Sequence, residues 1–297
     1  MQPLVLEQAV PDLAQRRLEY ARQVCGAAGV RSEPLLRAYA TVPREHYLGP
    51  GPWRIIRPET FPGVHETTPD DDPAQLYQNV LIAIDEAREL YNGEPLALAR
   101  WFDVLSMHRG DRALHIGCGV GYYTAIMAEV VGPRGDMVAV EVDCELAKRA
   151  RSSLGSYPHV TVTETEADTP DVGPRDVVFV NAGTTHPQQV WLDCLAPGGR
   201  LLFPLTVSPK GGALGYGHML RVEHTTSGYT ARFVSPVGIF NCAGRNRATE
   251  LRLRNAYGSG DHESVKELRL DRHAEEETCW LHDASWCLSK RPTVSKR

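Results

Sequence analysis

An apolar run that ends directly in three alternating glycines constrains this chain more than any other feature: Leu114-His115-Ile116-Gly117-Cys118-Gly119-Val120-Gly121, followed from Tyr122 by a helix-like segment. Glycines leave the backbone of a tight turn open to close approach, so strand, glycine turn and helix in that order predict a ligand cradle. The spacing is G-x-G-x-G. A dinucleotide fingerprint would be G-x-G-x-x-G, whereas Tyr122, Tyr123 and Thr124 follow Gly121 here. A nucleoside ligand without a pyrophosphate is therefore expected, and a nicotinamide dehydrogenase is a distant reading.

From about Arg109 short apolar runs alternate with helical stretches, the pattern of an α/β fold whose mostly parallel sheet is covered on both faces, Rossmann-like in kind. Strands are expected at Ala113 to Gly117, Met137 to Glu141, Val160 to Thr165, Asp176 to Asn181 and Arg200 to Pro204. Helices are expected at Tyr122 to Val131, Cys144 to Leu154 and around Gln188 to Leu195. Gly217 to Glu223, the turn Thr225-Thr226-Ser227-Gly228 and Tyr229 to Val234 read as an antiparallel hairpin. Three regions follow. Residues 1–105 form an N-terminal helical and loop region covering the site, with helices at Leu13 to Ala28 and Glu33 to Tyr39 and a long loop, rich in Pro, Gly and acids, from Pro50 to Asp72. Residues 106–240 form the ligand-binding domain. Residues 241–297 are a C-terminal extension without a legible role, in which Glu250 to Arg254 alternates and Trp280 to Leu288 is apolar.

Glu141 ends the second parallel strand twenty residues after Gly121, where a carboxylate accepts hydrogen bonds from both hydroxyls of a ribose. With Val142 it joins the loop residues His115, Gly117, Cys118, Gly119, Gly121 and Tyr122 as an expected ligand-binding residue. A core role is the commoner one for a strand histidine such as His115, and helix packing explains Tyr122 equally well. Glu166, Ala167 and Asp168 close the third strand, where either acid is placed to receive an adenine amino group. Asn181 and Ala182 stand at the end of the fourth strand, where substrate meets ligand in such sheets. Loop capping is the competing explanation of Asn181.

The net charge of −5 offers no long-range attraction for nucleic acid or an anionic membrane. Seven scattered cysteines with no C-x-x-C pair indicate neither a disulfide framework nor a zinc site, so no metal and a reduced, cytoplasmic compartment are expected. No run of about 18 apolar residues occurs, and residues 1–14 lack the apolar stretch of a signal peptide.

The glycine loop resembles that of class I S-adenosylmethionine methyltransferases. Val42-Pro43-Arg44-Glu45-His46-Tyr47 and Leu195-Ala196-Pro197-Gly198-Gly199-Arg200-Leu201-Leu202-Phe203-Pro204 resemble segments of the protein-L-isoaspartate O-methyltransferases in particular. The resemblance covers residues 15–240. It implies a seven-stranded sheet ending in an antiparallel hairpin, S-adenosylmethionine as cofactor with S-adenosylhomocysteine as product, and O-methylation of a peptide or protein carboxylate. One segment departs from the pattern. Where the family carries Gln-Thr-Ile-Ser-x-Pro, this chain has Leu90-Tyr91-Asn92-Gly93-Glu94-Pro95, so the Thr and Ser hydroxyls expected at the acceptor are replaced by Tyr91 and Gly93. By their place in that segment the resemblance makes Gly93 and Glu94 expected catalytic residues, beside Asn181, which its place at the end of the fourth strand puts at the transfer site.

Transfer of a methyl group from a sulfonium is an in-line displacement that depends chiefly on alignment. A carboxylate acceptor, with a reference pKa of about 4, is already ionised near pH 7 and needs no general base. A hydroxyl or amine acceptor would need one, and His186 is then the candidate. Three readings stand: methylation of a peptide carboxylate, methylation of a different small-molecule or peptide acceptor, and a non-catalytic protein that binds S-adenosylmethionine.

Overall fold

A computed structural model describes residues 12–60, 63–166, 172–209, 212–242 and 245–291. The chain divides into two compact units, Met1–Val104 and Leu105–Arg297. In the first unit, α1 (Leu13–Ala28) is followed by α2 (Glu33–Thr41) and the single turn α3 (Glu45–Leu48). Ser32 starts α2 because its hydroxyl accepts the Leu35 N–H at 3.3 Å, and Pro34 supplies a preset φ in the first turn. The stretch from Pro50 to Asp72, expected to be a loop, contains β1 (Arg54–Ile56) and β2 (His65–Thr67). With β3 (Leu81–Asp85) and β4 (Leu90–Tyr91) these strands build a four-stranded antiparallel sheet in the order β2-β1-β3-β4. Strands this short show too few alternations to be recognised as periodic. The sheet buries Ile55 and Ile82 against Leu48, Trp53, Leu76 and Val80, and the unit ends with α4 (Pro95–Leu105).

Arg44 explains the Val-Pro-Arg-Glu segment. It is 0% exposed, and its guanidinium donates to the carbonyls of Leu76 at 2.7 Å, Gln78 at 3.0 Å and Val80 at 2.8 Å. These carbonyls lie in the segment just before β3, and that of Gln78 also accepts the Val80 N–H at 3.0 Å. A buried cation is tolerated here because several acceptors converge on it.

The second unit contains the expected alternation. β5 (Arg112–Ile116), α5 (Tyr122–Val131), β6 (Asp136–Glu141), α6 (Cys144–Ser153), β7 (Val160–Glu164), β8 (Arg175–Val180), α7 (Gln189–Asp193) and β9 (Leu195–Val207) follow in turn. The long antiparallel pair β10 (Leu214–Thr225) and β11 (Gly228–Phe240) comes next. Strands β7-β6-β5-β8-β9 lie side by side and parallel, so the order reverses between β5 and β8. Ligands of such sheets bind at the carboxyl ends of the strands at that reversal.

The sheet is larger than the seven strands expected. After β11 the chain forms α8 (Arg247–Ser259), then β12 (Glu267–Arg269), β13 (Cys279–His282) and β14 (Cys287–Ser289), and the last three extend the sheet to ten strands in the order β13-β14-β12-β11-β10-β9-β8-β5-β6-β7. The alternation at Glu250 to Arg254 belongs to helix α8, started by the Asn246 side chain accepting the N–H groups of Ala248 at 3.0 Å and Thr249 at 3.1 Å. Burial decides this docking. Leu268, Leu281 and Leu288 enter the same core as Trp191, Phe203 and Leu220, at roughly 1.5–3 kcal/mol for each fully buried side chain. The partly exposed Arg252–Asp283 pair adds at most about 1 kcal/mol. No helix among the described residues is long and apolar enough to cross a membrane.

Replacing Arg44 by Met should lower the unfolding free energy by about 2–4 kcal/mol, because three charge-assisted hydrogen bonds to buried or part-buried carbonyls are lost. Urea denaturation of the two proteins checks this, and an unchanged midpoint would show the carbonyls to be hydrated.

Candidate functional site

The site starts at the ends of β5 and β8. Gly117 leaves β5 at φ 76°, Gly119 follows at φ 57° and Gly121 at φ 93°, all in the left-handed region that glycine enters without strain. Two of these glycines also admit neighbouring protein. A Cβ on Gly117 would stand 3.3 Å from the Asn181 carbonyl oxygen, and one on Gly121 would stand 2.9 Å from Leu154 Cδ1. The missing side chains at 117 and 121 therefore let the β8 end and the end of α6 close onto the turn. Asn181 is tied to β5 through its N–H, which donates to the Ile116 carbonyl at 2.8 Å.

At the end of β6 the Glu141 carboxylate turns toward the glycine turn. Its Oε2 accepts the Gly119 N–H at 2.7 Å, while Oε1 accepts the N–H groups of Val142 at 3.0 Å and Asp143 at 3.1 Å. Each carboxylate oxygen has two lone-pair positions, so these bonds occupy Oε1 and leave acceptor capacity on Oε2. Three of the four acceptor positions of Glu141 are thus taken by the protein's own N–H groups. It first holds the turn, and one oxygen keeps room for a further donor. Asp143 next caps α6 by accepting from Glu145 and Leu146. Between the two acids Val142 is 60% exposed, an apolar side chain held outward beside a carboxylate.

The chain matches known proteins over a stretch that includes this site. The family profile described as protein-L-isoaspartate(D-aspartate) O-methyltransferase (PCMT) matches residues 68–213. A protein-L-isoaspartate O-methyltransferase of Ignicoccus hospitalis is 25% identical over 229 residues, 76% of this chain and 96% of that protein. One of Methanothermobacter thermautotrophicus is 26% identical over 222 residues, 73% of this chain and 90% of that protein. The chain is a protein-L-isoaspartate O-methyltransferase-like, S-adenosylmethionine-dependent methyltransferase. Solved structures agree on the fold. A protein-L-isoaspartate O-methyltransferase superposes with a TM-score of 0.61 at 21% identity, covering 86% of this chain and 72% of the other. A Plasmodium falciparum structure described as beta-aspartate methyltransferase (PCMT), in complex with S-adenosyl-L-homocysteine, superposes at 0.57 with 14% identity, covering 77% of this chain and 99% of the other.

The residues expected at this methyltransferase site divide by accessibility. Gly117, Gly119, Val142, Glu166, Asn181 and Ala182 have surface to offer. Four others do not. His115 is 0% exposed, shares a hydrogen bond of 2.9 Å with Thr124 Oγ1 and packs on Phe179, so it belongs to the layer between β5 and α5. Tyr122 is fully buried edge-on to Tyr123, Gly121 is buried under Leu154, and the Cys118 thiol is buried with its pKa pushed up by burial and by nearby Glu141. Their part is to shape the turn from below. Ala167 and Asp168 lie outside the described residues. In the first unit, Gly93 has φ 25°, and Glu94 Oε1 accepts the Asn79 amide at 2.9 Å.

Sequence reasoning missed the residues that hold the loop after β8. Arg245 donates to the carbonyl of Gly183 at 3.3 Å, to that of Thr206 at 2.9 Å and to Asn241 Oδ1 at 2.6 Å, and the Asn246 N–H donates to Thr185 Oγ1 at 3.0 Å. Nothing in the local pattern of residues 241–246 signals this, because Gly183, Thr185 and Thr206 are all distant in sequence. His186 is held at 3.0 Å from Thr185 Oγ1, and burial lowers its pKa, which favours the neutral imidazole.

Burial pushes His115 down to about 3. The unfolded chain, with an ordinary histidine value of about 6.5, takes up the proton first, so this group removes stability as pH falls from about 6.5 toward 3, by about 1.4 kcal/mol per pH unit. Above that window it contributes no pH dependence. Relative to wild type, His115→Gln should flatten the fall in unfolding free energy between pH 6 and 4 by roughly that slope. Parallel urea titrations at each pH provide the measurement, and equal slopes would contradict the assignment.

Proposed function

We propose that this chain transfers a methyl group from S-adenosylmethionine to a carboxylate of a peptide or protein, with isoaspartyl carboxylates as the first acceptor class. The observation that carries the cofactor site is the Glu141 carboxylate clamped to the Gly119 N–H, with acceptor capacity left on Oε2 and the exposed Val142 beside it. A nucleoside, with ribose hydroxyls to donate and a flat base, fits that acceptor and its apolar neighbour. In this reading Glu141 Oε2 accepts a ribose hydroxyl, Val142 gives the adenine an apolar face, Glu166 or Asp168 receives its amino group, and the backbone of Gly117 and Gly119 admits the rest. The bound cofactor supplies an electrophilic methyl on a sulfonium.

Asn181 and Ala182, at the end of β8 and next to Gly117, are the proposed residues lining the transfer site. Asn181 contributes an uncharged amide that orients an acceptor without competing for the methyl group. The absence of a paired acid and base in this assignment fits a carboxylate acceptor, which arrives ionised. Gly93 and Glu94 complete the catalytic set through the resemblance alone.

A second reading, an acceptor other than isoaspartate, is favoured by the segment before α4. The Tyr91 hydroxyl lies 3.3 Å from His65 Nδ1, and Gly93 carries no side chain, so the two positions where the family has hydroxyls are differently furnished.

Calorimetric titration with S-adenosylmethionine should show binding. Gly119→Val should abolish it, because a β-branched residue at φ 57° is strained and would displace the turn, and Glu141→Ala should weaken it by about 1–3 kcal/mol. Circular dichroism must show both variants folded, and undiminished binding in both would remove the site assignment. Incubation with methyl-labelled cofactor and an isoaspartyl peptide should yield a labelled ester, with the aspartyl twin unlabelled. Asn181→Ala should lower kcat by roughly tenfold or more with little change in cofactor affinity. Label on neither peptide, with cofactor bound, would favour the second reading.

A further inference from the structure

Among the described residues, one group of side chains with metal-ligand chemistry lies outside the methyl-transfer site: His273, Cys279, His282 and Cys287, whose ligand atoms all lie within 4.8 Å of one another. We propose that these four side chains bind one zinc ion, as a closed structural Cys2His2 site that fastens the end of the chain to the sheet.

The donor set is the first argument. Two thiolates and two imidazoles are a preferred complement for tetrahedral zinc, and four protein donors leave no open position for a reacting water. The geometry is the second. Bonds of about 2.3 Å to sulfur and about 2.0–2.1 Å to nitrogen in a tetrahedron imply donor separations of about 3.3–3.8 Å. Cys279 Sγ stands 3.6 Å from His273 Nε2 and 4.0 Å from His282 Nδ1, and with every separation within 4.8 Å, closing onto an ion requires movements of about an ångström or less. Three of the donors are brought together by strand pairing. Cys279 opens β13, His282 closes it, and Cys287 is the β14 residue directly opposite His282.

The surroundings of the ligands are the third argument. His273 Nδ1 lies 2.9 Å from the Asp271 carbonyl oxygen, so Nδ1 carries the proton and the Nε2 lone pair faces Cys279. The Asp271 carboxylate is in turn held by Arg269, through Nε at 2.9 Å and Nη2 at 2.7 Å. The Glu276 N–H donates to Cys279 Sγ at 3.4 Å, a contact that stabilises a thiolate ligand. Strands β12, β13 and β14 contain only three or four residues each, so an ion bridging His273 to the β13–β14 pair would supply crosslinking that such short strands lack. Scattered spacing hid the set from sequence reading: His273-x5-Cys279-x2-His282-x4-Cys287 contains no C-x-x-C pair.

The full chain, purified under reducing conditions without added metal, should contain about one zinc per molecule by inductively coupled plasma mass spectrometry. Cys279→Ser and His282→Gln should each retain less than about a tenth of that, while Cys144→Ser, which alters a cysteine outside the group, should retain all of it. Wild type alone keeps the proposal testable if a ligand variant fails to fold. Stripping with a chelator should lower Tm by at least about 5 °C and added zinc should restore it. Cobalt in place of zinc should give thiolate charge-transfer absorption and the intense visible bands of a tetrahedral ion. Wild-type protein with no zinc, no cobalt spectrum and no response to the chelator would overturn the proposal, as would a Cys279–Cys287 disulfide in the freshly purified reduced sample. None of these readouts depends on the methyl acceptor.

Discussion

Strand β5 has neighbours on both sides, β6 and β8, and it must hand the chain to a buried helix across the crevice where the strand order reverses. Only a left-handed glycine turn makes that passage while leaving room for the carbonyl of Asn181 on one side and the side chain of Leu154 on the other. The rest of the site is set by this turn. Glu141 reaches it from the adjacent strand and bonds Gly119, so the ends of β5, β6 and β8 are held together before any ligand arrives. Donors and acceptors prepared in this way need little reorganisation when a charged ligand binds, which suits a reaction governed by alignment.

Burial and surface exposure are shared unequally among residues that look equivalent along the chain. In the run from His115 to Tyr122, the exposed elements are the backbone of Gly117 and Gly119, while His115, Cys118, Gly121 and Tyr122 build the floor. A buried imidazole under the turn is stable because desolvation keeps it neutral, and its bond to Thr124 couples strand to helix. The end of the chain has a comparable double role. Its strands extend the sheet, and Arg245 and Asn246 reach back to hold the loop after β8 that carries the proposed transfer residues.

The regular part of the fold was legible because its signals are local. A doubly covered parallel sheet needs near-continuous apolar runs, and helices between them need apolar positions at helical spacing, so β5 to β9 and α5 to α7 could be assigned within a few residues. Where elements are short or borrow their stability from distant partners, the reading failed. β1 and β2 have three residues each and β1 depends on pairing with β3, and the polar alternation in Glu250 to Arg254 belongs to a helix whose Leu253 is buried in the sheet core.

The amino-acid sequence by itself determined the glycine turn, its acidic partner Glu141, the parallel sheet and the likeness to protein-L-isoaspartate O-methyltransferases, since backbone permissiveness and hydrophobic periodicity act between near neighbours. Only the tertiary structure decided which of the clustered candidates reach the surface, that Glu141 spends most of its acceptor capacity on the protein, and that His273, Cys279, His282 and Cys287 meet at the sheet edge. Those outcomes depend on strand register, which brings together residues whose separation along the chain carries no information about their distance in space.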